Sequence, residues 1–283
     1  MKKERKVKIV TWLLVFCFVI SLGISILSVN KLSAETDEKV IPRDIQPPFK
    51  SSFSIERLRN TQLHAYEIDT VYPIHAPYPL LLALLTAERF SPERRITLSL
   101  TAEQVDHDPD LVAGQRYRID FLLPKLLMEG SRSAAVALSE ELGNDIVTQL
   151  NDRAKQLGLE HTRFNLAPED WRPSSEMTRS SEHYPVYSTL RDVSKLINYV
   201  ERNDVLKPFF NSEQYIYYEG DKYKIFRNPL ELAWGLSLDR DFMRGAFRAQ
   251  YGPYATHIYL CQNQGMELAI LHFGHSSVNS PEV

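Results

Sequence analysis

The sequence predicts an α+β domain, in which an antiparallel sheet packs against a helical cluster, preceded by an N-terminal transmembrane helix. Three observations predict this architecture. Residues 9–29 form one uncharged apolar run, helical periodicity recurs between residues 79 and 199, and strand-like alternation comes late, at 257–273. Helices in the middle of a chain and strands near its end favour a sheet packed on a helical cluster.

Composition limits the classes of function. The chain has 283 residues, of which 43% are hydrophobic and 24% charged, with a formal net charge of -3. These values are typical of one medium-sized globular domain with an appendage. A nucleic acid partner is excluded because phosphate binding needs clustered Lys and Arg. The two cysteines are Cys17 and Cys261, and because Cys17 lies in the apolar run, no disulfide is expected within the folded domain.

The N-terminal segment predicts export. Five basic residues lie within 1–8, and the apolar run 9–29 follows. About 20 helical residues cross a hydrocarbon core of about 30 Å, and the basic flank stays inside. A cleaved signal peptide is the alternative, although its apolar core is usually only about 7–15 residues long. We expect a single-pass cell-membrane protein whose domain is extracytoplasmic.

Three regions are predicted along the chain. Residues 1–30 are the basic tail and the anchor, and residues 31–51 are a polar, proline-containing linker. Residues 52–283 are the folded domain, in which strands are poorly legible between residues 53 and 72, so that a reduced sheet is expected there.

Periodicity predicts the elements of the domain. Pro79–Phe90 is apolar nearly throughout and opens with proline, which is typical of a buried central helix. Ile96–Leu100 alternates like a short strand. Two late strands flank the turn at Gln264 and Gly265 and form a hairpin. The further predicted helices and the two strands of the hairpin are Tyr117–Met128, Ser131–Leu142, Asp145–Leu157 and Ser188–Tyr199, then His257–Asn263 and Met266–Phe273.

Several stretches resemble one family in order and spacing. They are ITLSLTAEQV (96–105), LVAGQRYRIDFLLPKLLMEG (111–130), SAAVALSEELGNDIVTQLNDRAKQLGLEHTRF (133–164), YSTLRDVSKLINYV (187–200) and THIYLCQNQGMELAILHFG (256–274). Together they resemble the serine D-alanyl-D-alanine carboxypeptidases, which are penicillin-binding proteins. The resemblance covers about residues 73–274. It implies a β-lactamase/transpeptidase-like fold and acyl-enzyme chemistry on peptidoglycan stem peptides.

The resemblance also implies three catalytic motifs, and the sequence departs from each. Ala76 and Pro79 occupy the serine and lysine positions of Ser-x-x-Lys, and no lysine lies between residues 50 and 125. The only Ser-x-x-Lys of the chain, at residues 28–31, lies outside the domain. Gly130 and Arg132 stand at the ends of Ser-x-Asn, and the register one residue earlier does not restore that motif either. The third motif, Lys-Thr-Gly, is expected within residues 245–249, where Phe247 occupies a motif position, and no lysine follows residue 224.

A domain without a nucleophile and a base has no covalent route. We therefore expect a non-catalytic binding or regulatory module of the cell envelope, with a stem peptide or another envelope protein as partner, and with no cofactor and no metal. Two alternatives stay open: a hydrolase with a relocated nucleophile, and a purely structural domain that docks a partner.

An acidic loop and two histidines are the candidates for a metal site. An acidic cluster consists of Asp106, His107, Asp108 and Asp110. It lacks the glycine and the distal glutamate of a calcium loop, so a solvated loop is expected and a cation site is the alternative. His161 and His257 have no second histidine at the sequence spacing of zinc ligands. Both are expected to be structural or surface residues.

Two serines and two arginines are candidates for a place in a binding cleft. Ser131 and Ser133 flank Arg132, which stays protonated and cannot act as a base, and Ser131 is expected to cap a helix. Arg244 and Arg248 are the candidates for holding a carboxylate in place of the missing lysine. The run 215–218 (YIYY) predicts a core strand, with an exposed aromatic ledge as the alternative.

Overall fold

A computed structural model of the chain describes residues 49–106, 108–143, 145–171, 184–230, 243–263 and 265–275. The first described strand begins at Phe49, three residues before the predicted boundary at 52. The predicted membrane-spanning run, 9–29, lies outside the described residues. Within the described ranges, no helix combines the length and the apolarity needed to cross a membrane.

The elements alternate between short strands and helices before the chain ends in three long strands. The strands are β1 (Phe49–Glu56), β2 (Thr61–Tyr66), β3 (Arg95–Thr97), β4 (Arg116–Arg118), β5 (Arg163–Phe164), β6 (Val186–Tyr187), β7 (Gln214–Glu219), β8 (Lys222–Arg227), β9 (Met243–Tyr251), β10 (Tyr254–Asn263) and β11 (Met266–His275). The helices are α1 (Pro77–Arg89), α2 (Leu100–Gln104), α3 (Ile119–Leu127), α4 (Arg132–Leu142), α5 (Ile146–Gln156), α6 (Leu190–Glu201) and α7 (Lys207–Phe210), with a 3-10 turn at Pro168–Asp170.

Five strands form the main antiparallel sheet, in the order β2-β1-β11-β10-β9. The predicted hairpin is confirmed as β10 and β11, whose register pairs Ile258 with Leu271. The expected reduction of the sheet at its start was wrong, because β1 and β2 are both present. All six residues of β2 are exposed, so this edge strand carries no apolar alternation by which its sequence could be recognised.

The helical cluster is built around α1. Its side chains from Leu80 to Leu85 are all buried, and the helix contacts α3, α4, α5 and α6. A helix that is apolar on every side requires burial on every side. The predicted central helix is therefore confirmed, and its start, at residues 76–79, is held between the cluster and the sheet.

Two predicted boundaries shift where local hydrogen bonds end an element. The strand expected at 96–100 ends at Thr97, because Ser99 caps α2 by accepting a hydrogen bond from the N–H of Ala102 at 2.9 Å. The helix expected from Tyr117 starts at Ile119, because Tyr117 pairs with Ile96 in the β3–β4 ribbon. Capping and strand pairing thus override a continuous apolar period.

The second hairpin, β7–β8, has two apolar faces. On its inner face Tyr217 and Phe226 are buried, and both contact Phe121 of α3 at ring-centroid distances of 5.1 and 5.7 Å. On its outer face Tyr218 is 65% exposed. In the run 215–218 the core strand and the exposed ledge are therefore the two faces of one strand, since successive side chains alternate.

Asp192 joins α6 to the end of the α5–β5 segment. Its buried carboxylate accepts hydrogen bonds from the backbone N–H of His161 at 2.7 Å and from Thr162 Oγ1 at 3.0 Å. The N–H of Asp192 donates to Thr189, the N-cap of α6, at 3.2 Å. One carboxylate in the first turn thus supports the helix start and holds a neighbouring loop.

We predict that Asp192→Ala lowers the free energy of unfolding by about 1.5–3 kcal/mol, because it removes two hydrogen bonds to a buried carboxylate. The exposed Asp152→Ala of α5 serves as the control and is expected to change stability by less than about 0.5 kcal/mol. Urea unfolding followed by circular dichroism measures both variants. Equal effects of the two substitutions would contradict the structural role of Asp192.

Candidate functional site: the position of the cleft between α1 and β9

The start of α1 offers little to a substrate. Ala76 is the N-cap, is fully buried and makes no side-chain cap. Of the first four helical residues, Pro77 and Pro79 have no N–H. The N–H groups of Tyr78 and Leu80 donate to the carbonyls of His75 and Ala76, at 2.9 and 3.4 Å. This turn therefore presents no nucleophile, no amine and no free helical N–H that could bind an anion.

An aromatic cluster of His75, Tyr78, Trp171 and Tyr251 lies over this helix start. The His75 ring contacts Trp171 edge-on at 4.8 Å and stacks on Tyr251 at 5.0 Å, and Trp171 lies 5.9 Å from Tyr251. Tyr78 packs against Trp171 at 4.6 Å. The rings come from the start of α1, from the loop after the 3-10 turn and from the end of β9. They join the elements between which a substrate cleft was expected.

His75 is held neutral by this packing. Its Nδ1 atom is buried and has no hydrogen-bond partner within the described ranges, although the residue as a whole keeps some contact with solvent. Burial lowers the pKa of His75 to about 3, because an imidazolium loses its hydration there. The Nε1 of Trp171 is also buried without a partner among the described residues.

Arg132, at the last position of the second motif, serves the backbone. Its Nε donates to the carbonyl of Pro168 at 2.9 Å and its Nη2 to that of Glu169 at 3.0 Å. These two carbonyls belong to the 3-10 turn that directly precedes Trp171. A guanidinium in the place of asparagine thus fixes the loop that carries one ring of the aromatic cluster.

Ser131 is the predicted helix cap, which the structure confirms. Its Oγ accepts a hydrogen bond from the N–H of Ala134 at 3.3 Å and donates to Asp108 at 2.9 Å. Ser133 is fully buried, and its Oγ has no hydrogen-bond partner within the described part of the chain. Gly130 precedes them with φ of 69°, a conformation that favours glycine.

A cleft of about 350 Å³ next to Ser131 holds a cluster of charges. The ammonium of Lys125, whose side chain is only 3% exposed, lies 2.6 Å from Asp108, 2.5 Å from Asp110 and 2.7 Å from Glu129. Lys224 of β8 also contacts Asp110, and it lies 3.4 Å from Glu129. These two lysines neutralise part of the acidic cluster that the sequence singled out.

The protonation of Lys125 excludes it as a base. Burial disfavours its charged form, but the hydrogen bonds to the three carboxylates outweigh burial and raise the pKa of Lys125 above its usual range. A general base near neutral pH needs the opposite shift. Ser131 therefore has a carboxylate partner in Asp108, and Lys125 is not available to it as a base.

The acidic cluster is only partly a solvated loop. The expectation of a solvated loop was wrong for Asp108, whose side chain is 7% exposed, because the buried ammonium of Lys125 draws it inward. His107 lies outside the described residues. Within the described ranges, no group of three or more His, Cys, Asp or Glu side chains is arranged to hold a metal ion.

Phe247, which lies in the segment predicted for the third motif, points into the core of the protein. It is 3% exposed and packs on Phe210 of α7 at 5.4 Å. Gly245, two residues earlier, lies so close to α7 that a Cβ atom would be 2.8 Å from Asn211 Oδ1. This part of β9 is therefore packed tightly against α7.

The two candidate arginines each contact a polar side chain of the main sheet. Arg244 Nη1 pairs with Glu267 Oε1 at 2.5 Å. Arg248 directly follows Phe247, so its side chain leaves the opposite face of the strand, where Nη2 contacts Gln250 Oε1 at 2.5 Å. Their role in holding a carboxylate stays a prediction.

The two histidines weighed from the sequence have different surroundings. His161 is exposed. His257 is buried, and burial, followed by the charge of Arg248, lowers the pKa of its imidazole to about 4.

Sequence reasoning missed the aromatic cluster. His75, Trp171 and Tyr251 are separated by 80 residues or more, and none of them belongs to a periodic apolar pattern. A tryptophan in a loop, shortly after a Pro-Glu-Asp turn, was the only local signal. Such a tryptophan indicates a buried ring but does not identify the residues that pack against it.

Comparison with known proteins identifies the fold. No family model and no curated protein matches the sequence. Among solved structures, D-alanyl-D-alanine carboxypeptidase from Mycobacterium tuberculosis H37Rv is similar with a TM-score of 0.67 and 17% identity, over 84% of this chain and 88% of that chain. An evolved penicillin-binding protein homologue from the same organism has a TM-score of 0.67 and 17% identity, over 81% and 84%. The Streptomyces K15 DD-transpeptidase has 0.65 and 14%, over 86% and 94%. The predicted fold, that of the penicillin-binding DD-peptidases, is therefore confirmed.

We predict that Lys125→Met destabilises the protein by about 3–5 kcal/mol, because Asp108 and its neighbours would be left without their central cation. Lys224→Met is the matched control, since it contacts two of the same carboxylates but its side chain is 26% exposed. It is expected to cost less than about 1 kcal/mol. Urea midpoints of the two variants compare them, and similar losses would show that Lys125 is not the centre of the cluster.

We predict that His75→Phe changes the pH dependence of stability. With a folded pKa of about 3 and an unfolded pKa of about 6.5, neutral His75 contributes stability that is fully present above about pH 6.5 and is lost as pH falls toward 3. Relative to wild type, the variant should therefore gain about 2 kcal/mol between pH 7 and pH 5.

The control is His161→Gln, whose ring is exposed and which should follow the wild type across this pH range. Thermal and urea unfolding at each pH measure the difference. If His75→Phe keeps a constant offset from the wild type, the ring is not held neutral by burial.

Proposed function

We propose that this protein is a non-catalytic relative of the D-alanyl-D-alanine carboxypeptidases that acts in the cell envelope as a binding or regulatory module linked to peptidoglycan. One observation carries the proposal. The predicted serine position is Ala76, a fully buried helix cap, and the rings of His75, Trp171 and Tyr251 pack together beside it. An acyl enzyme needs a hydroxyl and an open approach to it.

The other motif positions support the same proposal. Arg132 donates to backbone carbonyls, and Phe247 is packed on α7. Lys125, a buried amine near the second motif, stays charged. Function is decided by the site and not by the fold, and each residue at these positions has a structural role instead of a chemical one.

The envelope location belongs to the proposal as well. It depends on the basic N-terminus and the apolar run 9–29, which would leave the domain outside the cytoplasm. A partner there is a peptidoglycan stem peptide or another envelope protein. Neither requires a covalent step.

The test is covalent labelling by a β-lactam. We predict that the full chain, incubated with a fluorescent penicillin, gains no adduct by intact-mass spectrometry, because Ala76 has no oxygen that could form an ester. An active DD-peptidase with the same fold, treated in parallel, should be labelled and confirms the reagent.

Peptide mapping makes the result specific. An acyl adduct on Ser131, Ser133 or any other hydroxyl of the domain would overturn the proposal and support a hydrolase with a relocated nucleophile.

A further inference from the structure

The outer face of the β7–β8 hairpin carries four large apolar side chains. They form two neighbouring cross-strand pairs, Ile216 with Ile225 and Tyr218 with Tyr223. The isoleucines are 43% and 39% exposed, and the tyrosines are 65% and 67% exposed. We call these four residues the hairpin ledge.

The fold of the hairpin does not require the ledge. Its inner face already packs Tyr215 against Phe209 at 4.8 Å and Tyr217 against Phe121 at 5.1 Å. A hairpin with one buried face normally turns polar residues to water on the other. Single exposed apolar residues need no explanation, whereas a contiguous patch of four is typical of an interaction surface.

The ledge is also held in place before any partner binds. On the inner side Lys224 contacts Asp110 and Glu129. Near the tip of the hairpin Glu219 contacts Arg95 of β3. A surface that is fixed in advance loses little conformational entropy on association.

We propose that the hairpin ledge binds the ledge of a second copy of this chain. The exposed charged residues of the hairpin are two acidic and two basic: Glu219, Asp221, Lys222 and Arg227. They carry no net charge, so two copies do not repel each other, and they give no attraction to an anionic lipid surface or another polyanion.

Its shape and size agree with a symmetric dimer. A two-stranded face with its side chains in cross-strand pairs can meet an identical face across a two-fold axis, so that each ledge buries the other. The four side chains expose on the order of 500 Å² per copy. Two ledges together therefore bury roughly 1,000 Å², which is at the small end of specific interfaces and predicts a weak dimer.

The test is sedimentation velocity of the purified full chain from about 1 to about 200 μM, a range suited to a weak interface. We expect the wild type to pass reversibly from monomer to dimer. The double variant Tyr218→Ser with Tyr223→Ser should raise the dissociation constant at least about ten-fold, because aromatic residues dominate such interfaces.

The matched control is Tyr199→Ser, which removes a tyrosine that is 40% exposed on α6 and should dimerise like the wild type. Circular dichroism should be unchanged in all variants, since the ledge faces solvent. A wild type that stays monomeric at the highest concentration, or a dimer that survives the double substitution, would overturn the proposal. β-Lactam labelling is independent of this test, so each proposal can fail alone.

Discussion

Contact between His75, Trp171 and Tyr251 is the constraint on which the rest of this site depends. It joins the residue before the N-cap of α1, the loop after the 3-10 turn and the last residue of β9. Each element is fixed separately, α1 by its burial on all sides and the loop by the guanidinium of Arg132. The rings bring these elements into contact.

The residues at the predicted motif positions contribute to packing. A catalytic serine, lysine and second amine in one cleft would place polar groups and like charges where they destabilise the folded state. Here Ala76 and Phe247 are buried in apolar surroundings instead. The buried ammonium of Lys125 contacts three carboxylates. These contacts give Lys125 a structural role, because they stabilise its charged form and it cannot act as a base.

Exposed apolar surface lies on the β7–β8 hairpin and not at the aromatic cluster beside Ala76. Where a ligand cleft was expected, aromatic rings bury one another, whereas on the β7–β8 hairpin Tyr218 and Tyr223 face solvent. Interaction surfaces are recognised by apolar side chains left exposed, because burying them is what stabilises a complex. Association is the property that such a surface supports.

The sequence by itself determined the fold class, the central helix and the final hairpin, because each depends on a local apolar period or a turn. It also excluded a Ser-x-x-Lys and a Lys-Thr-Gly at their expected positions, since no lysine lies between residues 50 and 125 or after residue 224. It did not predict β2, whose exposed residues lack alternation. Only the tertiary structure decided that Arg132 holds a loop, that Asp108 turns inward and that His75 meets Tyr251. These contacts join residues distant in sequence, and the energy of such a contact depends on the burial and partners that folding creates.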